Sequence, residues 1–247
     1  MLRKFKVSNF KGFEKDFELD LTNPNGYEFN KTAIKNGIVN NAIIYGQNGV
    51  GKSNLALAIF DIIGHLTDKV QNEGTYKNYL NAYSDESTAY FYYEFLIDSK
   101  IVIYEYKKSD YRTPIYERFL VDNVELALLD RTKDNRATIH FEGAETLNRN
   151  IENNTLSALK YVKNNTILAE NEQNNAFLSF FDFIEKMLYA RSLQNIVFIG
   201  SDALMKSETK SIMGDRTIKN LEVFLNEAGI ECKLVVIESL GEKTVVF

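Results

Sequence analysis

Four residue types between positions 46 and 53 have the spacing of a phosphate-binding loop. Gly46 is followed after four residues by Gly51, Lys52 and Ser53, with a further glycine at position 49. This spacing fits the G-x-x-x-x-G-K-[ST] pattern. The residues that we assign to nucleotide binding in this segment are Gly46, Gln47, Asn48, Gly49, Val50, Gly51, Lys52, Ser53 and Asn54.

The pattern predicts a particular chemistry. Glycines let the backbone curl so that several N–H groups point into one concavity, where phosphate oxygens can accept hydrogen bonds. A helix starting near Lys52 would add the positive end of its dipole. Lys52, the residue to which we assign a catalytic role, would reach the terminal phosphates, and the Ser53 hydroxyl would be a ligand of Mg²⁺. We therefore expect ATP and Mg²⁺ as cofactors.

The flanking sequence predicts the elements that should position this loop. Upstream, the apolar run Ala42 to Tyr45 predicts a buried strand. Downstream, apolar residues recur at helical spacing from Leu55 to Leu66. An ordinary glycine-rich turn would not require this combination of three glycines, a lysine and a serine.

Composition restricts the class of protein. The 247 residues are 45% hydrophobic and 26% charged, which is typical of a globular protein with a substantial core. The net charge of −5 argues against a chain that coats nucleic acid through its overall charge. The single cysteine, Cys232, excludes an intrachain disulfide and favours a reducing cytoplasm. No apolar run is long enough to predict a membrane span.

Two histidines and a group of basic residues have simpler interpretations. His65 and His140 are far apart in sequence, so we expect core or surface histidines and not a transition-metal site. Five basic residues between Arg3 and Lys15 could form a nucleic-acid patch, but a strand edge protected by lysines is the commoner reason for such a concentration.

The first 67 residues also resemble a known family. Residues 2–13, with the sequence LRKFKVSNFKGF, are followed by FELDL at 17–21 and NAIIYGQNGVGKSNL at 41–55. This order is similar to the N-terminal half of ABC-type ATPase heads, including SMC and RecF-like proteins. It resembles most closely the bacterial AAA-type ATP-binding proteins of abortive-infection and OLD-type phage-defence systems.

The resemblance implies a fold and a mode of action. It implies an α/β P-loop NTPase of ABC-like type with an antiparallel β lobe and a helical insertion. It also implies a homodimer of heads that closes around nucleotide, hydrolyses ATP and drives an effector, possible partners being a nuclease-type subunit and DNA. Lys11 stands where a basic residue of this family can approach the nucleotide, so it joins the predicted site.

Alternating apolar residues predict strands in residues 88–141. The segments are Ala89–Ile97, Ile101–Tyr106, Tyr116–Val121, Val124–Leu128 and Ala137–Phe141. Asp98-Ser99 and Asp122-Asn123 predict tight turns between them. The many tyrosines suggest either a base-stacking platform or, more commonly, cross-strand packing.

The remaining segments predict helices and a mixed region. Apolar spacing predicts two helices in residues 154–191, the second running from Phe177 to Leu188, and either an insertion or a plain helical hairpin would give this pattern. In residues 195–247 we expect a strand at Ile196–Gly200 and a helix over Thr217–Ala228. The whole chain is then a single head that is incomplete at its C-terminal end.

The hydrolytic part of the site is not evident. The apolar run Leu234–Ser239 contains Glu238 but lacks the usual aspartate and glutamate pair. Its pattern is compatible with an acidic metal-binding strand or with one arm of a hairpin. No signature sequence of ABC-type heads is found. We therefore expect the acidic strand and the signature to come from elsewhere, as in a longer or split ATPase. A non-hydrolysing nucleotide sensor or scaffold and a nucleic-acid-binding domain that uses the tyrosines remain alternatives.

Overall fold

The chain has a mixed α/β architecture that is dominated by one large antiparallel sheet. The computed structural model describes residues 1–67, 69, 73–191, 197–200, 218–220, 222–223, 226, 233–239 and 242–246. Two compact units are distinguished, residues 1–199 and residues 200–247. Cys232 and parts of the predicted helix over 217–228 lie outside the described residues.

Strands outnumber helices in the described residues. The strands are β1 (Leu2–Ser8), β2 (Phe17–Asp20), β3 (Ile34–Lys35), β4 (Ile38–Val39), β5 (Ala89–Ile97), β6 (Lys100–Lys108), β7 (Pro114–Val121), β8 (Val124–Asp130), β9 (Thr138–Ile139), β10 (Leu188–Arg191), β11 (Val197–Gly200), β12 (Val235–Ser239) and β13 (Glu242–Val246). The helices are α1 (Lys52–Leu66), α2 (Glu73–Tyr76), α3 (Ala158–Asn165) and α4 (Glu172–Lys186).

Seven strands form the main sheet in the order β2-β1-β5-β6-β7-β8-β9, and all neighbours in it are antiparallel. The predicted turns are confirmed. Asp98 and Ser99 have φ of 47° and 65°, and Asp122 and Asn123 have φ of 48° and 65°. Positive φ at both central residues is the geometry that matches the twist of a two-residue hairpin. The strand predicted over Ala137–Phe141 is shorter, since only Thr138–Ile139 pairs with β8.

One face of the sheet carries the core. The inward side chains of β5, β6 and β7 include six fully buried aromatic rings, and α1, α3 and α4 supply the opposing apolar surface. Phe180 of α4, which is fully buried, lies 5.2 Å from Phe119 and 5.7 Å from Phe95 between ring centroids. The inward aromatic residues of β5 are therefore core residues, as the cross-strand packing interpretation predicts.

The two helices predicted in residues 154–191 are confirmed, with different bounds. Ser157 accepts a hydrogen bond from the Lys160 N–H at the start of α3, and Asn171 accepts one from the Asn174 N–H at the start of α4. Helix α4 ends at Lys186, so Leu188 belongs to β10 and not to the helix. Both helices pack against the main sheet beside α1, and they do not form a lobe of their own.

The unit formed by residues 200–247 contains a hairpin. Strands β12 and β13 are antiparallel, with Val235 opposite Val246 and Ser239 opposite Glu242. This confirms the hairpin prediction for the segment after Leu234. The described part of the segment 218–226 is helical, and the Leu234 N–H donates to Glu222 Oε2 at 2.8 Å.

Candidate functional site

Helix α1 positions the residues of the predicted phosphate loop. Its inward face, which includes Leu55, Ala58 and Ile62, is buried against the sheet, so the helix is anchored along its length. Gly51 is the N-cap and has no side chain to accept a hydrogen bond. The helix ends where the Thr67 N–H donates to the Ile63 carbonyl. The predicted helix is thus confirmed, and Lys52 and Ser53 occupy its first two positions.

Two glycines of the loop before α1 have left-handed backbone conformations. Gly49 has φ of 88° and Gly51 has φ of 101°, values that residues with a Cβ rarely adopt. The loop also closes tightly, because a Cβ on Gly46 would lie 3.2 Å from a methyl group of Val50. Gln47, Asn48 and Val50 are all exposed in this loop.

Lys52 and the N-terminal end of α1 supply the polar groups of the loop. Lys52 Nζ donates to the carbonyl oxygens of Gly46 and Gln47, each at 2.7 Å. The Lys52 ammonium group is therefore held against two backbone carbonyl groups of the loop. The first N–H groups of a helix have no intrahelical acceptor, and here the N-cap provides no side-chain acceptor either. Ser53 is exposed beside them. This arrangement can offer an anion several amide donors and one ammonium group.

The turn that contains Lys11 lies next to the start of α1. A Cβ on Gly12 would be 3.2 Å from Nδ2 of Asn54, so the two residues are in close contact. The Lys11 ammonium, however, donates to the Lys77 carbonyl at 3.1 Å, and burial lowers the pKa of this lysine. Lys11 therefore lies near the loop, while its side chain is engaged by the segment that follows α2.

The strand predicted immediately before the loop is wrong. Residues 42–45 form no strand in the described structure, and the side chains of Ile43 and Tyr45 are each 91% exposed. An apolar run becomes a buried strand only when a neighbouring strand bonds its backbone and a second layer covers its side chains. None of the described strands pairs with this segment. The short hairpin of β3 and β4 precedes it and forms a separate two-stranded sheet, although the Val39 N–H donates at 2.8 Å to the carbonyl of Leu21, the residue after β2.

The described residues contain no cluster of acidic or other metal-ligating side chains. Within the described ranges, no three His, Cys, Asp or Glu residues come close enough to hold a metal ion. Glu238 lies in β12, where its backbone is in register with Lys243 of β13. The hairpin interpretation of this segment is thus the one that the structure supports.

Sequence reasoning missed the polar groups on the buried side of α1. Asp61 is fully buried and forms an ion pair with the fully buried Lys108, with Nζ and Oδ2 3.0 Å apart. His65 is also buried, as the expectation of a core histidine allows, and its Nε2 lies 2.9 Å from Glu117 Oε1. Only the helical spacing of Asp61 and His65 could have suggested that both lie on one face.

The Glu117 carboxylate has a perturbed acidity. Burial by itself would raise the pKa of Glu117, but the hydrogen bond and charge of His65 and the N–H of Ala158 together hold this pKa below its usual value. The charged form is the one that accepts these hydrogen bonds. Glu117 is therefore expected to be ionised in the folded protein at neutral pH.

The second face of the sheet carries tyrosines and carboxylates. The hydroxyl of Tyr90 donates to Glu105 at 2.6 Å, and the hydroxyl of Tyr92 donates to Glu94 at 3.3 Å. Arg3 also pairs with Glu94, so part of the basic N-terminal group is neutralised on this face. Strand β1 lies between β2 and β5, which shows that the interpretation of its lysines as protection of a sheet edge is wrong.

Comparisons with known proteins add no assignment. No protein-family model matches the chain, and no curated protein matches it. Among the described residues, no helix combines the length and apolarity needed to cross a bilayer.

Proposed function

We propose that this chain is an ATP-binding head of ABC-like type that holds the nucleotide phosphates and Mg²⁺ at residues 46–53. The observation that carries the proposal is the loop geometry: two left-handed glycines precede a buried helix, and the lysine at the start of that helix folds back over the loop. An isolated helix N-terminus would be weak support, but here the lysine and the glycine curvature occur together.

Each residue has a distinct role in this proposal. The N–H groups at the start of α1 donate to phosphate oxygens, and the helix dipole favours the negative charge there. The Lys52 ammonium, which now donates to two loop carbonyls, can turn one of its three N–H bonds towards a terminal phosphate. The Ser53 hydroxyl would be a ligand of Mg²⁺, whose other ligands would be phosphate oxygens and waters.

Turnover requires a group that this site does not supply from its described residues. An acidic residue must hold the metal ion and orient the attacking water. We infer that this residue comes from a further polypeptide segment, as in a longer or split ATPase, and that two heads close around the nucleotide as a homodimer. The family resemblance extends this proposal to a chain that drives a nuclease-type effector in DNA maintenance or phage defence in the cytoplasm.

Calorimetric titration of Mg·ATP into the purified chain tests the binding proposal. Lys52→Ala should weaken ATP binding by about 100-fold or more, because one charge-assisted contact of a lysine to phosphate is lost in a site that depends on it. Lys133→Ala is the matched control, since Lys133 lies on a surface turn, with 78% of its side chain exposed. Circular dichroism should show that all variants fold.

A second variant separates the metal role from the phosphate role. Ser53→Ala should weaken binding in the presence of Mg²⁺ and leave binding in EDTA unchanged, because only the metal contact is removed. Unchanged ATP affinity in Lys52→Ala, with the fold intact, would refute the phosphate-loop assignment.

A non-hydrolysing sensor or scaffold is the second candidate function. The position of Glu238 in a hairpin favours it, because the only acidic strand suggested by the sequence is used for pairing. Measuring phosphate release by the purified chain distinguishes the two: turnover that Lys52→Ala abolishes would rule out the scaffold.

A nucleic-acid interface on the tyrosine-rich sheet has less support. The inward tyrosines are buried, and the outward ones donate to carboxylates, which would repel phosphate. A shift titration with single- and double-stranded DNA tests this alternative.

A further inference from the structure

Helix α1 carries two titratable residues on the face that it buries against the sheet. Asp61 and His65 are separated by one helical turn, and they are 0% and 7% exposed. Residues at i and i+4 lie on the same side of a helix. Burying a carboxylate and an imidazole in an otherwise apolar face costs free energy unless each is fully hydrogen-bonded. Both have such partners, and all of these except Tyr79 belong to β6 and β7.

Asp61 is held by three hydroxyl or ammonium donors. Its Oδ1 accepts from the hydroxyl of Tyr79 at 3.1 Å, and its Oδ2 accepts from the hydroxyl of Tyr106 at 2.9 Å. Lys108 Nζ reaches both oxygens, at 3.3 and 3.0 Å. The ammonium also lies 5.2 Å from the centre of the Tyr79 ring. The carboxylate therefore accepts four hydrogen bonds from three side chains.

His65 is held in the same way one turn later. Its Nε2 lies 2.7 Å from the hydroxyl of Tyr104 and 2.9 Å from Glu117 Oε1. The same hydroxyl donates to Glu117 at 2.7 Å, and the second carboxylate oxygen accepts the Ala158 N–H at 2.6 Å. This second network thereby joins α1, β6, β7 and the first residue of α3.

The two networks can form together only when α1 lies against β6 in one particular register. Tyr104 and Tyr106 are consecutive inward residues of β6, about 6.7 Å apart along an extended strand. Asp61 and His65 are about 6 Å apart along the helix axis. Both contacts can therefore form together, whereas a slide by one residue or a rotation of α1 would leave buried charges without partners. Apolar contacts alone discriminate less sharply between neighbouring positions of α1 on the sheet.

A role in stability alone does not explain this arrangement. Replacing a buried ion pair by apolar residues of similar volume is often neutral or stabilising, because desolvation offsets the attraction between the charges. The best attested use of buried polar groups is to select one register. In α1 the register matters at the other end, because Lys52 lies nine residues before Asp61, about 13.5 Å along the same rigid helix.

We propose that four buried residues fix the position of α1 on the sheet and so place Lys52 and Ser53 for phosphate and Mg²⁺. These positioning residues are Asp61 and Lys108, with His65 and Glu117. This inference rests on the proposed nucleotide binding and assigns it a supporting set of residues. None of the four needs to touch the nucleotide. Their effect is transmitted by the helix as a rigid body.

The test compares ATP affinity with stability in one set of variants. The double variant Asp61→Leu with Lys108→Met is made together with Tyr79→Phe and Tyr106→Phe, so that no buried hydroxyl loses its Asp61 acceptor. This combined variant replaces the ion pair and its tyrosine donors by apolar side chains of similar volume. We expect its thermal midpoint to stay equal to that of the wild type or to rise, and its Kd for Mg·ATP to increase at least about fivefold. Ile62→Val is the matched control, because Ile62 is fully buried in the same helix and the change is purely apolar. It should lower the thermal midpoint and leave the Kd unchanged.

The possible results separate this inference from the binding proposal. A folded combined variant that binds Mg·ATP like the wild type, while Lys52→Ala has lost binding, refutes the positioning role and leaves the binding proposal intact. Loss of affinity in Ile62→Val in proportion to its stability would refute it too. If the wild type does not bind Mg·ATP, both proposals fail. Should the combined variant not fold, Asp61→Asn with Lys108→Met keeps the two tyrosine hydrogen bonds, and the same criteria apply.

Discussion

Substitution of the buried carboxylate Glu117 by glutamine should destabilise the protein and change how its stability depends on pH. Glutamine has nearly the same shape, so no cavity is formed. Its oxygen can accept the Ala158 N–H, and its amide group can donate to the Tyr104 hydroxyl oxygen and, where His65 Nε2 carries no proton, to that nitrogen. The number of hydrogen bonds is then preserved, and what is lost is the charge.

The size of the effect follows from these bonds. Glu117 has three hydrogen-bond partners, at 2.6, 2.7 and 2.9 Å. A hydrogen bond to a charged group contributes about 1.5–3 kcal/mol, against about 0.5–1.5 for a neutral one. Losing roughly 1 kcal/mol in each of three bonds is partly offset because a carboxylate no longer has to be desolvated. We therefore expect Glu117→Gln to lower the free energy of unfolding by about 2 kcal/mol at pH 7.

The pH dependence has a definite sign. The pKa of Glu117 is lower in the folded protein than its usual value of 4.5. The folded state therefore binds this proton less readily than the unfolded state does, and the contribution of Glu117 to stability is complete well above pH 4.5. It is lost as the pH falls through the folded-state pKa. The glutamine variant has no such titration, so the difference between the two proteins should shrink on acidification.

Urea denaturation followed by circular dichroism at pH 7 and between pH 5 and 3 measures both quantities. Glu18→Gln is the control, since Glu18 forms a partly exposed pair with Lys6 at 2.8 Å and should change stability by less than about 0.5 kcal/mol. A loss below about 0.5 kcal/mol for Glu117→Gln at pH 7, or a difference that persists unchanged at low pH, would show that the network is not held by the charge.

Two further predictions concern the backbone and the core. Gly143→Ala should destabilise by about 2–4 kcal/mol, because φ is 93° and the new Cβ would lie 2.7 Å from the Ile167 carbonyl oxygen. Gly26→Ala should cost only about 1 kcal/mol in the same urea assay, since φ is 70° but nothing lies within 4 Å; equal losses would contradict the steric argument. Phe180→Ala should cost about 3–5 kcal/mol by thermal or urea unfolding, because its ring is fully buried. Leu178→Ala in the same helix, 45% exposed, should cost less than 1 kcal/mol, and a similar loss for both would contradict the packing described for α4.

Much of the local structure could be predicted because it depends on neighbouring residues. The hairpins at Asp98-Ser99 and Asp122-Asn123 follow from residues that tolerate positive φ between alternating apolar runs. Helices α1 and α4 follow from apolar spacing, although the predicted second helix, Phe177 to Leu188, begins five residues after α4 begins and ends two residues after it ends. The loop residues from Gly46 to Ser53 were identified for the same reason, since their spacing in sequence is the spacing that the loop needs.

The sequence did not reveal which distant segments become neighbours. The pairing of β1 with β5 joins segments more than 80 residues apart and turns two expected β units into one sheet. The exposure of Ile43 and Tyr45 likewise depends on whether another strand lies beside them. An apolar run has the same pattern in either case, so the pattern could not decide between burial and exposure.

The sequence by itself determined the local elements and the identity of the candidate phosphate-binding residues, because backbone preference and periodicity act over a few residues. Only the tertiary structure decided that Asp61 is paired with Lys108, 47 residues later, and His65 with Glu117. Those pairs form because two strands and one helix are folded against each other in a single register. The free energy of a buried charge depends on the partners that this packing brings within hydrogen-bonding distance, and sequence spacing carries no record of them.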